Sequence, residues 1–352
     1  MSSDYPTIHE AELAPADGGQ LVETDARVML DARYVMDKIT GIGRYTYNLV
    51  RELLRLDPSL ELVLLTSRSR PQLVDSPRVE CRPSRIDPYS PLTRFALSSL
   101  MDFDGIDLYH SPFNLQPARI PVPSVLTLHD IMWLVDAGYV ASNWLERIVS
   151  APFFQWCTKR SVREADRVLT VSDHSRTAIE SWFPRKTGRV DVTYNAADAF
   201  FEPVDREQGW ALLEGKVPRE VPFVLSVGVQ SPYKNHEGAL EGFIEAFADR
   251  EDAHFVLVQR HTYRATGRFG ELLEHPDVRS RIIRLEYVTD EELRALYSLA
   301  RVFLFPSLYE GFGLPILEAM QCGTPVVTSD RGAPAEVGAD AAVTVDPEST
   351  SE

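Results

Sequence analysis

From Arg27 onward, short apolar runs alternate with longer stretches whose apolar positions recur at helical spacing. A strand covered on both faces needs a near-continuous apolar run, and its return to the same sheet needs a helix, so this alternation predicts parallel sheets with crossover helices. Strands are expected at Val28–Asp31, Leu62–Thr66, Leu108–His110, Val125–His129, Val168–Val171 and Val190–Tyr194, with a helix over Arg44–Leu56. The stretch Asp198–Pro222 mixes Pro, Gly and charge and reads as a hinge carrying one short helix. The alternation then restarts, with strands expected at Phe223–Val227, Phe255–Gln259, Ile282–Leu285, Val302–Phe305 and Pro325–Thr328 and helices at His236–Ala248, Asp290–Ser298 and Leu314–Gln321. The expected fold class is α/β, with two doubly wound parallel-sheet domains at 27–197 and 223–352, a hinge at 198–222 and a disordered extension at 1–26. Such sheets take ligands at the carboxyl ends of their strands, which places the expected site in a cleft between the halves.

Composition narrows the function. The chain has 352 residues, 44% hydrophobic, enough for about two domains and too apolar for disorder. With 36 Lys and Arg against 52 Asp and Glu, its net charge of −16 repels phosphate backbones and argues against a nucleic-acid partner. Any bound polyanion must be small and locally held. Cys81, Cys157 and Cys322 are scattered and odd in number, which fits neither a disulfide framework nor a cysteine-based zinc site and points to the cytoplasm. No run approaches a membrane span, and the N-terminal residues lack the basic-then-apolar order of a secretory signal.

The segment with the most chemical information is Pro306–Glu318, PSLYEGFGLPILE. It leaves an apolar strand, turns through Glu310-Gly311-Phe312-Gly313 and opens a helix with Pro315 in its first turn, where the missing N–H costs nothing. A strand, a glycine turn and a helix N-terminus make an anion site, because unpaired backbone N–H groups and the dipole point at the same place. Carboxylates beside a phosphate site are contradictory unless they hold something else. Sugar hydroxyls resolve the conflict, one carboxylate for a hexose and one for a ribose. The bland alternative is a turn glutamate and a solvated helix glutamate.

Glu310-x7-Glu318 followed by GTPVVTSD resembles the signature of the large retaining glycosyltransferase family often called family 4, of the GT-B fold. The similarity runs from about Val28 to Val345 and includes TGIGRY (Thr40–Tyr45), HSP (His110–Pro112), LHD (Leu128–Asp130), ADRVLTVSDHSR (Ala165–Arg176), YNAAD (Tyr194–Asp198), SPYKN (Ser231–Asn235) and YVTDEEL (Tyr287–Leu293). Within the family it looks nearest to the mannosyl- and hexosyltransferases of surface-polysaccharide assembly. The resemblance implies catalytic roles for Glu310 at the donor hexose, His129 over the sugar and Lys234 on the leaving diphosphate. It further implies that the backbone of Gly311, Phe312, Gly313 and Leu314 contacts sugar and phosphate, that Glu318 binds the ribose, and that Tyr287 and Val288 contact the base. Gly43 and Arg44, in the short glycine turn before the first long helix, would approach the diphosphate or the acceptor. One position departs from the pattern: Val229 stands where many relatives have Arg, and Arg260, Arg264 or Arg44 could substitute.

The implied reaction moves a hexose from a nucleoside-diphosphate sugar to a hydroxyl of a saccharide or lipid-linked saccharide with retention. A mannose-type donor, GDP-mannose, is favoured and a UDP-sugar remains open. No cofactor beyond the donor and no metal is expected, since Asp102-Phe103-Asp104 precedes a strand and reads as a solvated acid turn. His110 is read equally as a structural histidine or a ligand. Leu145–Arg167 is read mainly as a packed helix with a basic solvated face, which leaves peripheral contact with the inner face of the membrane open. Two rival readings are a glycoside hydrolase, whose retaining carboxyls would stand about 5 Å apart, and a non-catalytic nucleotide-sugar-binding remnant. The second is motivated by the family's closing helices, which are expected after Glu352 and are not in this sequence. Oligomeric state has no sequence signature here.

Overall fold

The structure, a computed structural model, describes residues 6–13, 21–36, 40–139, 144–247, 250, 252–259 and 267–351, the side chains of 137 and 144–149 excepted. Two compact units form: the first from Met1–Ile131, Pro152–Thr170 and Ala178–Thr193, the second from Met132–Ala151, Val171–Thr177 and Tyr194–Glu352. Segments 132–151 and 171–177, expected in the N-terminal domain, thus belong with the second unit.

The first unit carries a seven-stranded parallel sheet: Arg27–Asp31 (β1), Glu61–Ser67 (β2), Val79–Ser84 (β3), Leu108–Ser111 (β4), Ser124–Thr127 (β5), Arg167–Thr170 (β6) and Val190–Val192 (β7). Their order is β3-β2-β1-β4-β5-β6-β7. β2 explains why the apolar run is continuous: Leu62 and Leu64 pack in one core cluster, while Val63 and Leu65 pack in another on the opposite face. Helix α1 (Gly41–Leu56) covers the first cluster with Tyr47, Val50 and Leu54 at helical spacing. β3 escapes the sequence pattern because it is an edge strand, half exposed and carrying Pro83, which only an edge tolerates.

The expected disordered extension needs correction over residues 6–13 and 21–26, the latter tied by Val22 N–H to the Leu56 carbonyl at 3.0 Å and by the Thr24 hydroxyl to Asp57. Ile8–His9 pairs in parallel with Val74–Asp75, and Ile8 and Leu13 are buried in the α1 cluster. The Tyr47 hydroxyl also donates to the Pro6 carbonyl at 3.1 Å. Two apolar side chains in a polar stretch suffice because α1 leaves them a ready-made apolar site.

The second unit holds six parallel strands, Phe223–Val227 (β8), His254–Val258 (β9), Ile282–Leu285 (β10), Val302–Phe305 (β11), Val326–Ser329 (β12) and Val343–Val345 (β13), in the order β10-β9-β8-β11-β12-β13. Helices Arg206–Leu212, His236–Phe247, Asp290–Leu299, Leu314–Gln321 and Gly332–Gly338, here α2 to α6, pack against it. The stretch expected as a hinge is part of this core: Phe201, Trp210 and Leu213 are buried with Phe223 and Tyr297. Because the strand order reverses between β8 and β11, the loops leaving these two strands diverge and open a crevice at their carboxyl ends. Everything proposed for the donor depends on what those two loops carry.

Candidate functional site

After β8 the chain passes Gly228 and makes a short 3-10 turn, Pro232–Lys234, which ends at Asn235 in the left-handed region (φ 52°). The Asn235 side chain donates to the Pro306 carbonyl at 3.1 Å and accepts from the Gly238 N–H at 3.2 Å. It therefore ties the β8 loop to the end of β11 and starts α3 at once. A backbone bond from Leu308 N–H to the Tyr233 carbonyl, 2.8 Å, makes a second tie. Between these ties Lys234 Nζ donates to Glu310 Oε1 at 2.7 Å, both side chains nearly buried (11% and 12% exposed). The Lys234 stem lies over Gly228, where an added Cβ would stand 3.1 Å from Lys234 Cδ, and Nζ sits 4.6 Å from the centre of the Phe305 ring. A side chain at 228 would press on the Lys234 stem and displace it.

The Glu310 loop is fixed from its other side. The hydroxyls of Ser172 and Ser175 both donate to the Gly311 carbonyl, at 2.7 and 3.1 Å. Gly313 has φ +115° and caps α5, and a Cβ there would lie 3.0 Å from Ile316 Cδ1. Phe312 is buried. Glu310 and the N-terminal turn of α5 therefore share the loop after β11 while Lys234 reaches Glu310 from the loop after β8, which supplies amide dipoles, an ammonium and a carboxylate within one crevice. Glu318 lies in the second turn of α5, buried, with the Tyr297 hydroxyl donating to its Oε2 at 3.1 Å. Lys234 and Glu310 are brought into contact, whereas Glu318 is held by a different helix. Tyr287 is exposed and Val288 packs on the core, in the loop before α4, which Thr289 and Glu292 cap reciprocally.

Of the other sequence-identified residues, His129, His110, Gly43 and Arg44 lie in the first unit. His129 Nε2 is 3.1 Å from the Pro112 carbonyl, and its ring meets the Tyr45 ring edge-on at 4.7 Å. His110 Nε2 is 2.8 Å from Thr127 Oγ1, which is also 3.1 Å from the Tyr45 hydroxyl. The glycine turn expected at Gly41–Gly43 is instead the first turn of α1: Thr40 is the N-cap, the Gly43 N–H donates to its Oγ1 at 3.0 Å and the Arg44 N–H donates to its carbonyl. The Gly43 amide is committed to the cap, because Thr40 is a better N-cap than any residue of the turn itself. Val229 is 47% exposed and its carbonyl is 3.2 Å from His236 Nε2. Of the three arginines considered in its place, Arg260 and Arg264 lie outside the described residues. Asp102 Oδ1 accepts the Asp104 N–H at 3.0 Å, the geometry of a self-capped acid turn. Among the described residues no helix is long and apolar enough to cross a membrane, and no three His, Cys, Asp or Glu side chains gather as metal ligands.

Sequence reading passed over Gly228, Tyr297 and the supporting roles of Asn235, Ser172 and Ser175. The last three stand inside the SPYKN and ADRVLTVSDHSR blocks, so the signal was present without the partner it serves.

Burial pushes His110, His129 and His236 each down to about 4. In the unfolded chain a histidine titrates near 6.5, so as pH falls the unfolded state takes up the proton first. Their contribution to stability is full above about pH 6.5 and is lost toward about pH 4, at roughly 1.4 kcal/mol per pH unit for each histidine. Melting temperature measured across this range should fall accordingly. His110→Gln should flatten the curve by about one proton, and an unchanged slope would remove His110 from this account.

Sequence profiles of two families match the chain: Glycosyltransferase Family 4 over residues 39–199 and Glycosyl transferases group 1 over residues 213–352. The chain is 30% identical over 329 residues to O-antigen chain mannosyltransferase B of Escherichia coli, covering 88% of this chain and 84% of that protein. Among solved structures, sucrose-phosphate synthase from Thermosynechococcus elongatus superposes with a TM-score of 0.67 at 21% identity, covering 93% of this chain and 87% of that one. The Anabaena protein HepE, solved in complex with UDP-glucose, gives a TM-score of 0.64 at 17% identity over 92% of this chain and 87% of that one.

Proposed function

Since the chain belongs to glycosyltransferase family 4 and has the GT-B fold, we propose that it moves a hexose, with retention at the anomeric carbon, from a nucleoside-diphosphate sugar to a hydroxyl of a saccharide or lipid-linked saccharide acceptor in polysaccharide biosynthesis. The observation that carries this reading is the Lys234–Glu310 contact at the β8–β11 crevice, beside the glycine turn that opens α5. Mannose from GDP-mannose is the preferred donor, on the likeness to a mannosyltransferase. A UDP-sugar is the competing donor.

In the proposed reaction the anomeric carbon–phosphate oxygen bond breaks while the acceptor oxygen bonds to the same face. The acceptor proton passes to the departing phosphate oxygen, so no protein base is consumed. Negative charge accumulates on the diphosphate. The amides of the α5 N-terminus stabilise it there without reorganising, and Lys234 turns its ammonium from Glu310 to the diphosphate as the donor enters. Glu310 exchanges its ammonium partner for sugar hydroxyls as the donor enters, and Glu318, oriented by Tyr297, accepts from the ribose. Charge compensation by Lys234 and the α5 amides is the basis for proposing that no metal or further cofactor takes part.

Thermal-shift titration with GDP-mannose, UDP-glucose and an ADP-sugar tests the donor, because a ligand bound only by the folded state raises stability by mass action. One nucleotide class should stabilise at concentrations where the others do not. Glu318→Ala should shrink that shift by roughly tenfold in affinity, the cost of one charge-assisted hydrogen bond or slightly more, while changing turnover at saturation little. Absence of any shift with all three sugars would overturn the proposal.

A further inference from the structure

We propose that, on the reading that places His129 over the donor sugar, Tyr45 is the positioning residue that holds the His129 ring, itself anchored through Thr127 to His110. Tyr45 stands in the second turn of α1, a helix that packs through Gly43, Thr46, Tyr47, Val50 and Leu54. It is not part of that stripe. It reaches instead to the carboxyl end of β5, where its hydroxyl is 3.1 Å from Thr127 Oγ1. Thr127 Oγ1 is in turn 2.8 Å from His110 Nε2, on the neighbouring strand β4. A threonine hydroxyl carries one proton, so Thr127 donates to one neighbour and accepts from the other, and each bond sets the direction of the next. Thr127 and His110 are buried, which keeps water from competing for either bond. At the far end the Pro112 carbonyl accepts from His129 Nε2 at 3.1 Å, and the Tyr45 ring meets the imidazole edge-on, centroids 4.7 Å apart at 89°. The first contact fixes the tautomer and the second the tilt of the ring.

Stability alone does not call for this set. Placing two hydroxyls and an imidazole out of water costs desolvation, and replacing hydrogen-bonded partners together by apolar side chains of like shape is close to neutral for the fold. Positioning gives the set a use. Burial holds the His129 ring neutral at ordinary pH, so it meets a sugar through directional hydrogen bonding rather than through charge. A charge acts at any angle, whereas a hydrogen bond weakens steeply when its donor or acceptor tilts. The tilt is what the Tyr45 ring controls, and the Tyr45 ring is turned by its hydroxyl. All four side chains belong to the first unit, and their contacts depend on no surface being open.

Steady-state transfer and thermal melts of Tyr45→Phe, Thr127→Ser, Tyr45→Phe/Thr127→Val/His110→Leu and His129→Ala test it. Tyr45→Phe is expected to lower kcat roughly tenfold with donor KM changed by less than about twofold, because the ring stays while its anchor is lost. Thr127→Ser keeps the hydroxyl and should stay within about twofold of wild type in kcat. The all-apolar triple variant should melt within a few degrees of wild type and still show the loss, a split that a purely structural network would not give. In the His129→Ala background Tyr45→Phe should have no further effect, as for residues that act as a unit. Wild-type kcat in Tyr45→Phe, or its undiminished loss in the His129→Ala background, would overturn the proposal. Wild-type transfer by His129→Ala would overturn it as well, and the sugar-transfer reading would then stand or fall separately on Glu310→Ala.

Discussion

Glu310→Ala should lower the rate of sugar transfer by roughly 10³-fold or more, while nucleotide binding falls far less. Its carboxylate is nearly buried and already hydrogen-bonded to Lys234, so the site is assembled before the donor arrives. Interactions with hexose hydroxyls that strengthen as the glycosidic bond breaks are lost with the side chain. Removing the carboxylate also leaves the Lys234 ammonium buried without its partner, which costs stability. Glu310→Gln, of nearly the same shape, separates the two effects: its melt should stay closer to wild type while its turnover stays low. Transfer assays by nucleotide release, run beside thermal melts, read both. Near-normal turnover in Glu310→Ala would move the chemistry away from this crevice.

Lys234→Ala should lower turnover by roughly 10² to 10³, the usual cost of removing one preorganised charge contact from a developing anion. The donor KM should rise as well, because the ammonium meets the diphosphate in the ground state too. Lys234→Arg should not restore the rate. The lysine stem fits over Gly228 with little spare room, and a planar guanidinium cannot present the same point charge above Phe305. In a double-mutant cycle with Glu310→Ala the two losses should fall short of additivity, as expected for partners in contact. Strict additivity would mean that the pair acts on separate steps.

The strands and helix that frame this crevice were legible in the chain. Phe223–Val227, Val302–Phe305 and Leu314–Gln321 form over the residues expected, because interior strands and a helix opened by proline write their boundaries in local pattern. Val79–Ser84 was not legible, since an edge strand has no buried run to display. Residues 6–13 were read as disordered because two apolar side chains mean nothing until α1 offers them a surface. The reading of 198–222 as a hinge with one short helix has that helix at Arg206–Leu212 but missed its packing, for a related reason. Pro, Gly and charge dominate its composition, yet Phe201, Trp210 and Leu213 decide its place in the second core.

For the site, the types of residue were readable and their partners were not. The glycine turn, the acids at 310 and 318 and the lysine at 234 could be singled out by their chemistry in sequence. That Lys234 and Glu310, 76 residues apart, share a hydrogen bond follows only from a strand order that puts β11 beside β8. Likewise, only folding commits the Gly43 amide to Thr40, gives Glu318 to Tyr297 and turns Trp156 outward onto Phe95. Periodicity encodes what a residue's own turn or strand must bury. Contacts between distant loops are set by crossover handedness and sheet order, which leave no mark on either loop alone.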